Sequence, residues 1–323
     1  MSQPVEQPAE KRHTPPKARS VYIIIPVHNR KETTLTCLSR LREFGCIGEF
    51  DCINQNETAA SADKAPQTEQ YQVVVVDDGS TDGTAEAIQE NYSDVTVLQG
   101  DGDLWWTGAM VMGMQHACDR GAEFVVWLND DCLIEADTLP TMVSFARSHP
   151  QTIVGPSCFY LKEGEWMPKN SGSTGRKRYA GIPGKATYVD TLSGWCVLIP
   201  GDVIATIGLP NMQRFPHYEA DTVYLLQATK AGFKACVLGD AKAKIVGELG
   251  RKHPRRDFRN YFGPNLGAAQ TLNDLFFSKK SPYRLHSQYF YHVARHGYLL
   301  GTPLFLIKAV TWLAEWVKRQ FLS

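Results

Sequence analysis

Three short apolar runs, each closed by a polar cluster, restrict the fold of this 323-residue chain more than any other feature. Val21 to Val27 reads VYIIIPV and stops at His28-Asn29-Arg30. Tyr71 to Val76 reads YQVVVV and stops at Asp77-Asp78-Gly79, and Glu123 to Leu128 reads EFVVWL and stops at Asn129-Asp130-Asp131. Runs of this length that are apolar without alternation are strands buried on both faces of a parallel sheet. Segments with helical spacing separate them: Lys31 to Phe44 with Leu35, Leu38 and Leu41, Thr84 to Asn91, Leu104 to Arg120, and Ala136 to Ser148 ahead of Pro150. With a short strand at Val95 to Leu98, this alternation predicts an α/β, Rossmann-like, mainly parallel sheet flanked by helices.

Further strands are expected at Thr152 to Tyr160, Ala186 to Pro200, Phe233 to Leu238 and Ala243 to Val246. A helix is expected at Tyr218 to Ala231, stopped by Gly232. Lys162 to Gly184 reads as a long loop, and Cys46 to Gln70, rich in Asn, Gln, Ala and Asp, as a surface insertion. Residues 1–20 hold prolines and basic groups with almost no large apolar side chain, and read as a disordered tail. The division that follows is a tail over 1–20, an α/β domain over 21–250, and a basic, aromatic, helical extension over 251–323.

Formal net charge is zero, so no global field draws the chain to nucleic acid. The eight cysteines form no CxxC pair, which argues against a zinc site, and a chain of this size needs no disulfide framework. They read as reduced thiols of a cytoplasmic protein. No apolar stretch of the signal-peptide kind is seen at the amino end.

In open α/β sheets ligands bind beyond the carboxyl ends of the strands, so Asp77-Asp78 and Asp130-Asp131 are expected to converge on one crevice. Adjacent carboxylates repel and are costly to desolvate, so they need solvent or a cation; oxygen ligands favour Mg²⁺ or Mn²⁺. A solvated strand-end turn is the plainer reading of each cluster taken alone. Asp82 reads as a helix cap. Neither GxxxxGK[ST] nor GxGxxG occurs, which argues against a P-loop enzyme and a dehydrogenase.

IIIPVHNR, VVVVDDGSTDGT, LNDDC and HYEAD, in that order, resemble the family 2 glycosyltransferases of GT-A fold, and GDGDLWWTGAM resembles their rhamnosyltransferase-like branch. The resemblance covers roughly Val21 to Val246. It implies an inverting enzyme that moves a sugar, hexosyl or rhamnosyl, from a nucleotide-sugar donor to a hydroxyl of a glycan or lipid-linked acceptor. By the same resemblance Pro26, Val27, His28 and Asn29 form the first donor loop, and Asp77 and Asp78 meet the nucleobase and ribose. Asn129 and Asp130 stand at the DxD position, with Asp131 as metal ligand. Asp221 is the catalytic base, with Glu219 as its substitute. His253 falls where relatives place a metal- or phosphate-contacting group, and a surface histidine beside Arg255 and Arg256 is the plainer reading. Trp106 stacks on donor or acceptor, or packs in the core. Trp195 and His217 fall near the acceptor, and core packing or a helix start explains them equally. Gln227 stands near where the family often has arginine, and Val111 where relatives often have Asn. A sugar-phosphate nucleotidyltransferase and a non-catalytic nucleotide-sugar scaffold are the competing classes; the Gly-rich signature of the former is absent.

Gly297 to Leu322 is apolar and aromatic, but Lys308, Thr311, Glu315 and Lys318 recur at helical spacing and make a polar stripe. That pattern predicts a helix lying in a membrane interface or packing on a second copy, rather than one crossing the bilayer. The basic run Arg251 to Arg259 suits anionic headgroups or an acceptor pyrophosphate, and equally an ordinary solvated face. Peripheral attachment to the cytoplasmic membrane face is the expectation.

Overall fold

The computed structural model of the chain describes residues 20–48, 70–246, 257–262 and 266–321. The expected tail, nearly all of the expected insertion, and most of the basic run with His253 lie outside the described residues.

In chain order the elements are β1 (Ser20–Val27), α1 (Lys31–Glu43), β2 (Gln70–Asp77), α2 (Thr84–Asn91), β3 (Thr96–Gln99), α3 (Trp105–Asp119), β4 (Phe124–Leu128) and β5 (Cys132–Ile134). They continue with α4 (Thr138–Ser148), β6 (Thr152–Lys162), β7 (Glu165–Lys169), β8 (Gly172–Thr174), β9 (Lys177–Tyr179), β10 (Ala186–Val189), β11 (Thr191–Leu192) and β12 (Cys196–Pro200). The last are α5 (Gly201–Ile207), α6 (Ala220–Lys230), β13 (Lys234–Ile245), α7 (Ala268–Phe276) and α8 (Leu285–Phe321), with a 3-10 turn at Phe258–Tyr261.

The main sheet runs β10-β13-β6-β12-β4-β1-β2-β3. β1 pairs in parallel with β2 and β4, and β2 with β3. Within that half the order is 3-2-1-4, so the direction of winding reverses between β1 and β4, which is where open α/β sheets bind ligands. The other half is mixed: β12 runs antiparallel to both β4 and β6, whereas β13 and β6 are parallel.

Alternation within the apolar runs explains the two cores. Ile23 and Ile25 of β1 face α1 and α4, meeting Leu38, Leu41, Met142 and Val143. Ile24, with Val74 and Val76 of β2, faces α3 and α6, meeting Met110, Met114, Tyr224 and Leu225. Gly113 lets α3 sit this close: a Cβ there would lie 2.2 Å from Ile24 Cγ2.

Three expectations are corrected. The supposed loop from Lys162 to Gly184 holds β7, which pairs with the end of β6, and the β8–β9 hairpin, which forms a small sheet with β11. Ala186 to Pro200 is three strands, broken at Asp190 and again at Ser193-Gly194-Trp195, where the chain turns into the cleft. The two short strands expected at Phe233 to Leu238 and Ala243 to Val246 are one long strand, Lys234–Ile245, with an irregularity between Leu238 and Lys242. The expected carboxyl-terminal helix exists but starts earlier, at Leu285, and breaks at Gly297, whose φ of 73° suits glycine.

Beyond that break α8 is amphipathic. Gly301, Phe305, Ala309, Trp312 and Trp316 are at least partly buried, and Trp316 Nε1 donates to Thr271 Oγ1 of α7 at 3.0 Å. Leu299, Leu306, Val310, Leu313 and Val317 form an exposed apolar arc, Leu299 being 95% exposed. By length and composition α8 could cross a membrane.

Candidate active site

A cleft of about 2050 Å³ opens at the carboxyl ends of β1 and β4, and its far wall is made by β8, β9 and α8. Of the residues expected to form the site, Pro26, Val27, His28, Asp78, Trp106, Asn129, Asp130, Asp131, Trp195, His217, Glu219 and Asp221 all line it. Asn29 and Asp77 do not. Asn29, in the left-handed region at φ 52°, accepts from Thr81 N at 2.7 Å and takes Ser80 Oγ on its own N–H, so it ties the first two strand-end loops together. Asp77 is buried, because successive residues leave a strand on opposite faces, and its Oδ1 accepts from Ser80 N at 2.9 Å.

Asp78 is an organiser of the loop that leads into α3. Its Oδ1 accepts from Gly102 N (2.9 Å) and Leu104 N (3.1 Å), and its Oδ2 from Trp105 N (2.8 Å). His28 Nδ1 donates to the Asp78 carbonyl at 2.6 Å, since a carbonyl can only accept. The loop holds Trp105 at a φ of 59°, strained for a bulky residue, and Glu219 is held at 68° across the cleft. Such backbone strain gathers at functional sites.

β4 delivers the acid cluster. Asn129 Oδ1 accepts from Trp106 Nε1 at 2.9 Å, and Trp106 stands edge-on to buried Trp127. Asp130 is 3% exposed and accepts from Thr34 Oγ1 at 3.1 Å. Arg30, which the sequence reading did not place in the site, bridges both acids: Nε lies 3.0 Å from Asp130 Oδ2 and Nη2 3.3 Å from Asp131 Oδ2. Its signal was its place directly after Asn29 at the end of the first apolar run. Burial pushes the Asp130 carboxyl up to about 6; Arg30 opposes this and the Asp131 charge adds to it. Burial likewise raises the nearby Cys37 thiol, and the charges of Asp130 and Asp131 add to the rise. Seven described cysteines are free thiols.

Asp131 Oδ1 is buried with no hydrogen-bond partner. Among the described residues no group of three or more His, Cys, Asp or Glu side chains is gathered for a metal. A buried, unsatisfied carboxylate oxygen beside few other ligands fits a cation whose remaining coordination comes from phosphate and water, the usual manner for Mg²⁺.

Asp221 sits in the first turn of α6. Its Oδ2 accepts from Gly194 N at 2.8 Å and its Oδ1 from Thr222 N at 2.7 Å, leaving each oxygen acceptor capacity toward the cleft. Gly194 must be glycine: a Cβ would lie 2.8 Å from Asp221 Cβ and 3.1 Å from Trp106. A continuous run of contacts therefore joins Asn129, Trp106, Gly194 and Asp221. Trp195 gives its carbonyl to Asn129 N at 2.8 Å and lies 6.0 Å from Lys169 Nζ, while His217 stands edge-on to Trp105. Lys280 lies over the Trp105 ring at 4.7 Å.

Comparison with known proteins agrees with this fold. The galactofuranosyltransferase GlfT1 of Mycolicibacterium smegmatis is 24% identical over 206 residues, which is 60% of this chain; the match spans 61% of that protein's length. GalNAc-T7, solved with UDP, GalNAc and Mn²⁺, aligns at a TM-score of 0.55 and 14% identity over 87% of this chain and 51% of its own. S. aureus TarS 1–349 in complex with UDP-GlcNAc aligns at 0.51 and 16% identity over 93% of this chain and 81% of its own. At such identities the structures show the shared GT-A fold. The profile of glycosyl transferase family 2 matches residues 22–188, more than half of the sequence, and the chain belongs to that family.

Proposed function

We propose that the protein transfers a hexosyl or rhamnosyl unit from a nucleotide-sugar donor to an acceptor hydroxyl, with inversion at the anomeric carbon. The observation that carries this reading is the run of contacts that puts the Asp221 carboxylate and the Asn129–Asp131 cluster on one cleft. Asp221 takes the proton of the acceptor hydroxyl as its oxygen bonds to the anomeric carbon. The bond from that carbon to the diphosphate oxygen breaks, and its electron pair leaves with the nucleoside diphosphate. Pro26, Val27 and His28 frame the donor, and Asp78 fixes the loop that carries Trp105 and Trp106 to it. Trp195 and His217 border the acceptor, and Glu219 stands beside the base.

Asp131, whose Oδ1 has no other partner, would hold Mg²⁺ or Mn²⁺, and the bound cation would supply positive charge against the leaving diphosphate. UDP and Mn²⁺ in the GalNAc-T7 structure, and UDP-GlcNAc in the TarS complex, support a nucleotide-sugar donor. The rhamnosyl alternative rests on the LWWTGAM stretch. The apolar arc of α8 supports work at a membrane surface, with α8 lying along it.

The test is transfer from a panel of nucleotide sugars by wild type and Asp221→Asn. Turnover is expected to fall by about 10²–10⁴-fold, the usual contribution of a positioned base, with nucleoside-diphosphate affinity retained. Unchanged turnover in the variant removes Asp221 as the base.

A further inference from the structure

The acids at the end of β4 meet a cation that the chain itself supplies. Arg30 stands at the N-cap of α1, where its carbonyl accepts from Thr34 N at 2.9 Å. Its backbone is thereby fixed, and its side chain reaches across to β4. Nε lies 3.0 Å from Asp130 Oδ2 and Nη2 lies 3.3 Å from Asp131 Oδ2, so one guanidinium spans two carboxylates. The several N–H donors of an arginine, set in a rigid fork, permit such bridging. Thr34, one helical turn on, donates to the same Asp130 oxygen at 3.1 Å.

The charges leave little for a free divalent ion. Two carboxylates against one guanidinium give the cluster a net charge of minus one when both acids are ionised. Asn129 adds no charge, and its Oδ1 already accepts from Trp106 Nε1 at 2.9 Å. Among the described residues no group of three His, Cys, Asp or Glu side chains stands ready for a metal. What remains is Asp131 Oδ1, buried and without a hydrogen-bond partner. An ion there would share its carboxylate with Arg30, which holds the other oxygen. Two positive charges that close together, partly shielded from water, repel strongly.

A nucleoside diphosphate changes both conditions. It brings phosphate oxygens, which Mg²⁺ takes readily alongside one or two carboxylates. It also brings negative charge to offset the guanidinium, which lines the cleft beside His28 and Asp131 and is 42% exposed there. Arginine binds phosphate as well as carboxylate through charge-assisted hydrogen bonds.

We infer that Arg30 is a built-in counter-ion that holds free divalent cation off Asp131, so that cation and nucleoside diphosphate enter the cleft as a pair. Arg30 is thus a positioning residue. It keeps the two acids aligned before the donor arrives, and it yields Asp131 to the cation once the diphosphate supplies the missing charge and ligands. The inference rests on the transferase reading, which puts a nucleotide-sugar donor in this cleft.

The test follows Mn²⁺ binding to the full-length protein by electron paramagnetic resonance. It is run at pH 8, where Asp130 is ionised, since burial lifts its carboxyl only to about 6. Titrations are made with no nucleotide and with UDP, GDP and dTDP in turn. Wild type is expected to bind Mn²⁺ at least about tenfold more tightly with the nucleotide it prefers than without, and by linkage that nucleotide's affinity, read by calorimetry, responds to Mn²⁺ by the same factor. Arg30→Gln is expected to bind Mn²⁺ alone at least about tenfold more tightly than wild type, so the gain from nucleotide shrinks. Arg30→Lys keeps the charge and is expected to stay within about threefold of wild type for Mn²⁺ alone. Adding Asp131→Asn to Arg30→Gln is expected to remove the added affinity. Equal affinity of wild type and Arg30→Gln for Mn²⁺ alone overturns the inference, and so does a lysine variant that gains as much as the glutamine one. Wild type that binds a nucleotide with no coupling to Mn²⁺ also overturns it, leaves the transferase reading standing, and needs no variant to fold. Failure of every nucleoside diphosphate to bind, with or without Mn²⁺, removes the transferase reading and the inference with it.

Discussion

Asp130 and Asp131 are neighbours in the chain, yet their surroundings divide the work between them. Asp130 is enclosed, with Thr34 and Arg30 on the same oxygen, whereas Asp131 keeps one oxygen without a partner. The arrangement makes Asp130 a fixed support and leaves Asp131 able to meet a cation. Arg30 supplies charge to both acids, which two adjacent carboxylates need. A pH dependence follows from the burial of Asp130, whose carboxyl rises from 3.8 to about 6. Between those values the folded protein holds a proton that the unfolded chain has released, so this group's contribution to stability falls as pH rises through the window. The rise corresponds to about 3 kcal/mol. In EDTA, the stability of wild type relative to Asp130→Asn is expected to decline by about that amount between pH 4 and pH 7, read from urea midpoints. A difference that stays level or grows with pH would show that Asp130 is not held as described. Sequence reading found both acids because they end an apolar run. It placed Asn29 and Asp77 in the cleft too, because it cannot tell a side chain that ties loops together from one that faces a ligand. It left out Arg30 because a lone arginine after a strand has no periodicity to single it out.

Among the elements, the central parallel strands were legible and the later ones were not, for one physical reason. β1, β2 and β4 are buried on both faces, so their sequences are unbroken apolar runs. β7 and β9 are mostly exposed and read EWMPK and KRY, with too little alternation to separate a strand from a loop. The antiparallel insertion of β12 between β4 and β6 is set by tertiary pairing and leaves no local mark, as does the three-residue β5. The seating of α3 on the sheet is the feature at this scale that most affects the cleft, since α3 carries Trp106 at one end and Gly113 in its middle. A Cβ at Gly113 would meet Ile24 Cγ2 at 2.2 Å and Val76 Cγ2 at 3.2 Å. Gly113→Ala is therefore expected to destabilise the protein by about 1–2 kcal/mol: overpacking costs typically 1–3 kcal/mol, offset by up to about 1 kcal/mol of helix propensity. Denaturant unfolding checks this. A variant stabilised by the propensity gain alone would mean that α3 does not press on β1 and β2 in solution.

At the scale of the whole molecule, the cleft and the apolar arc of α8 share an edge, because Leu304 and Lys308 belong to both the helix and the cleft wall. A protein that rests α8 on a bilayer would thus open its cleft at the headgroup level. The polar stripe of Lys308, Thr311, Glu315 and Lys318 separates an interfacial helix from a spanning one, since charges at bilayer depth are expensive. The face opposite the arc is already committed to protein: Trp312 meets Tyr283 edge-on at 5.3 Å, and Trp316 bonds Thr271. Leu306 and Val310, 54% and 65% exposed, sit in the middle of the arc and touch neither the cleft nor the protein face. Full burial of such a side chain is worth roughly 1.5–3 kcal/mol, and partial insertion of two of them about as much as one. Leu306→Ser with Val310→Ser is accordingly expected to weaken co-sedimentation with phosphatidylglycerol vesicles by at least about tenfold, with thermal stability unchanged. Raising the salt should weaken binding of wild type and variant alike, through Lys308 and Lys318, at roughly 1 kcal/mol or less per basic group. If the double variant sediments with vesicles as wild type does, the arc faces something other than lipid, and a concentration-dependent mass in solution would then identify it as the contact between two copies.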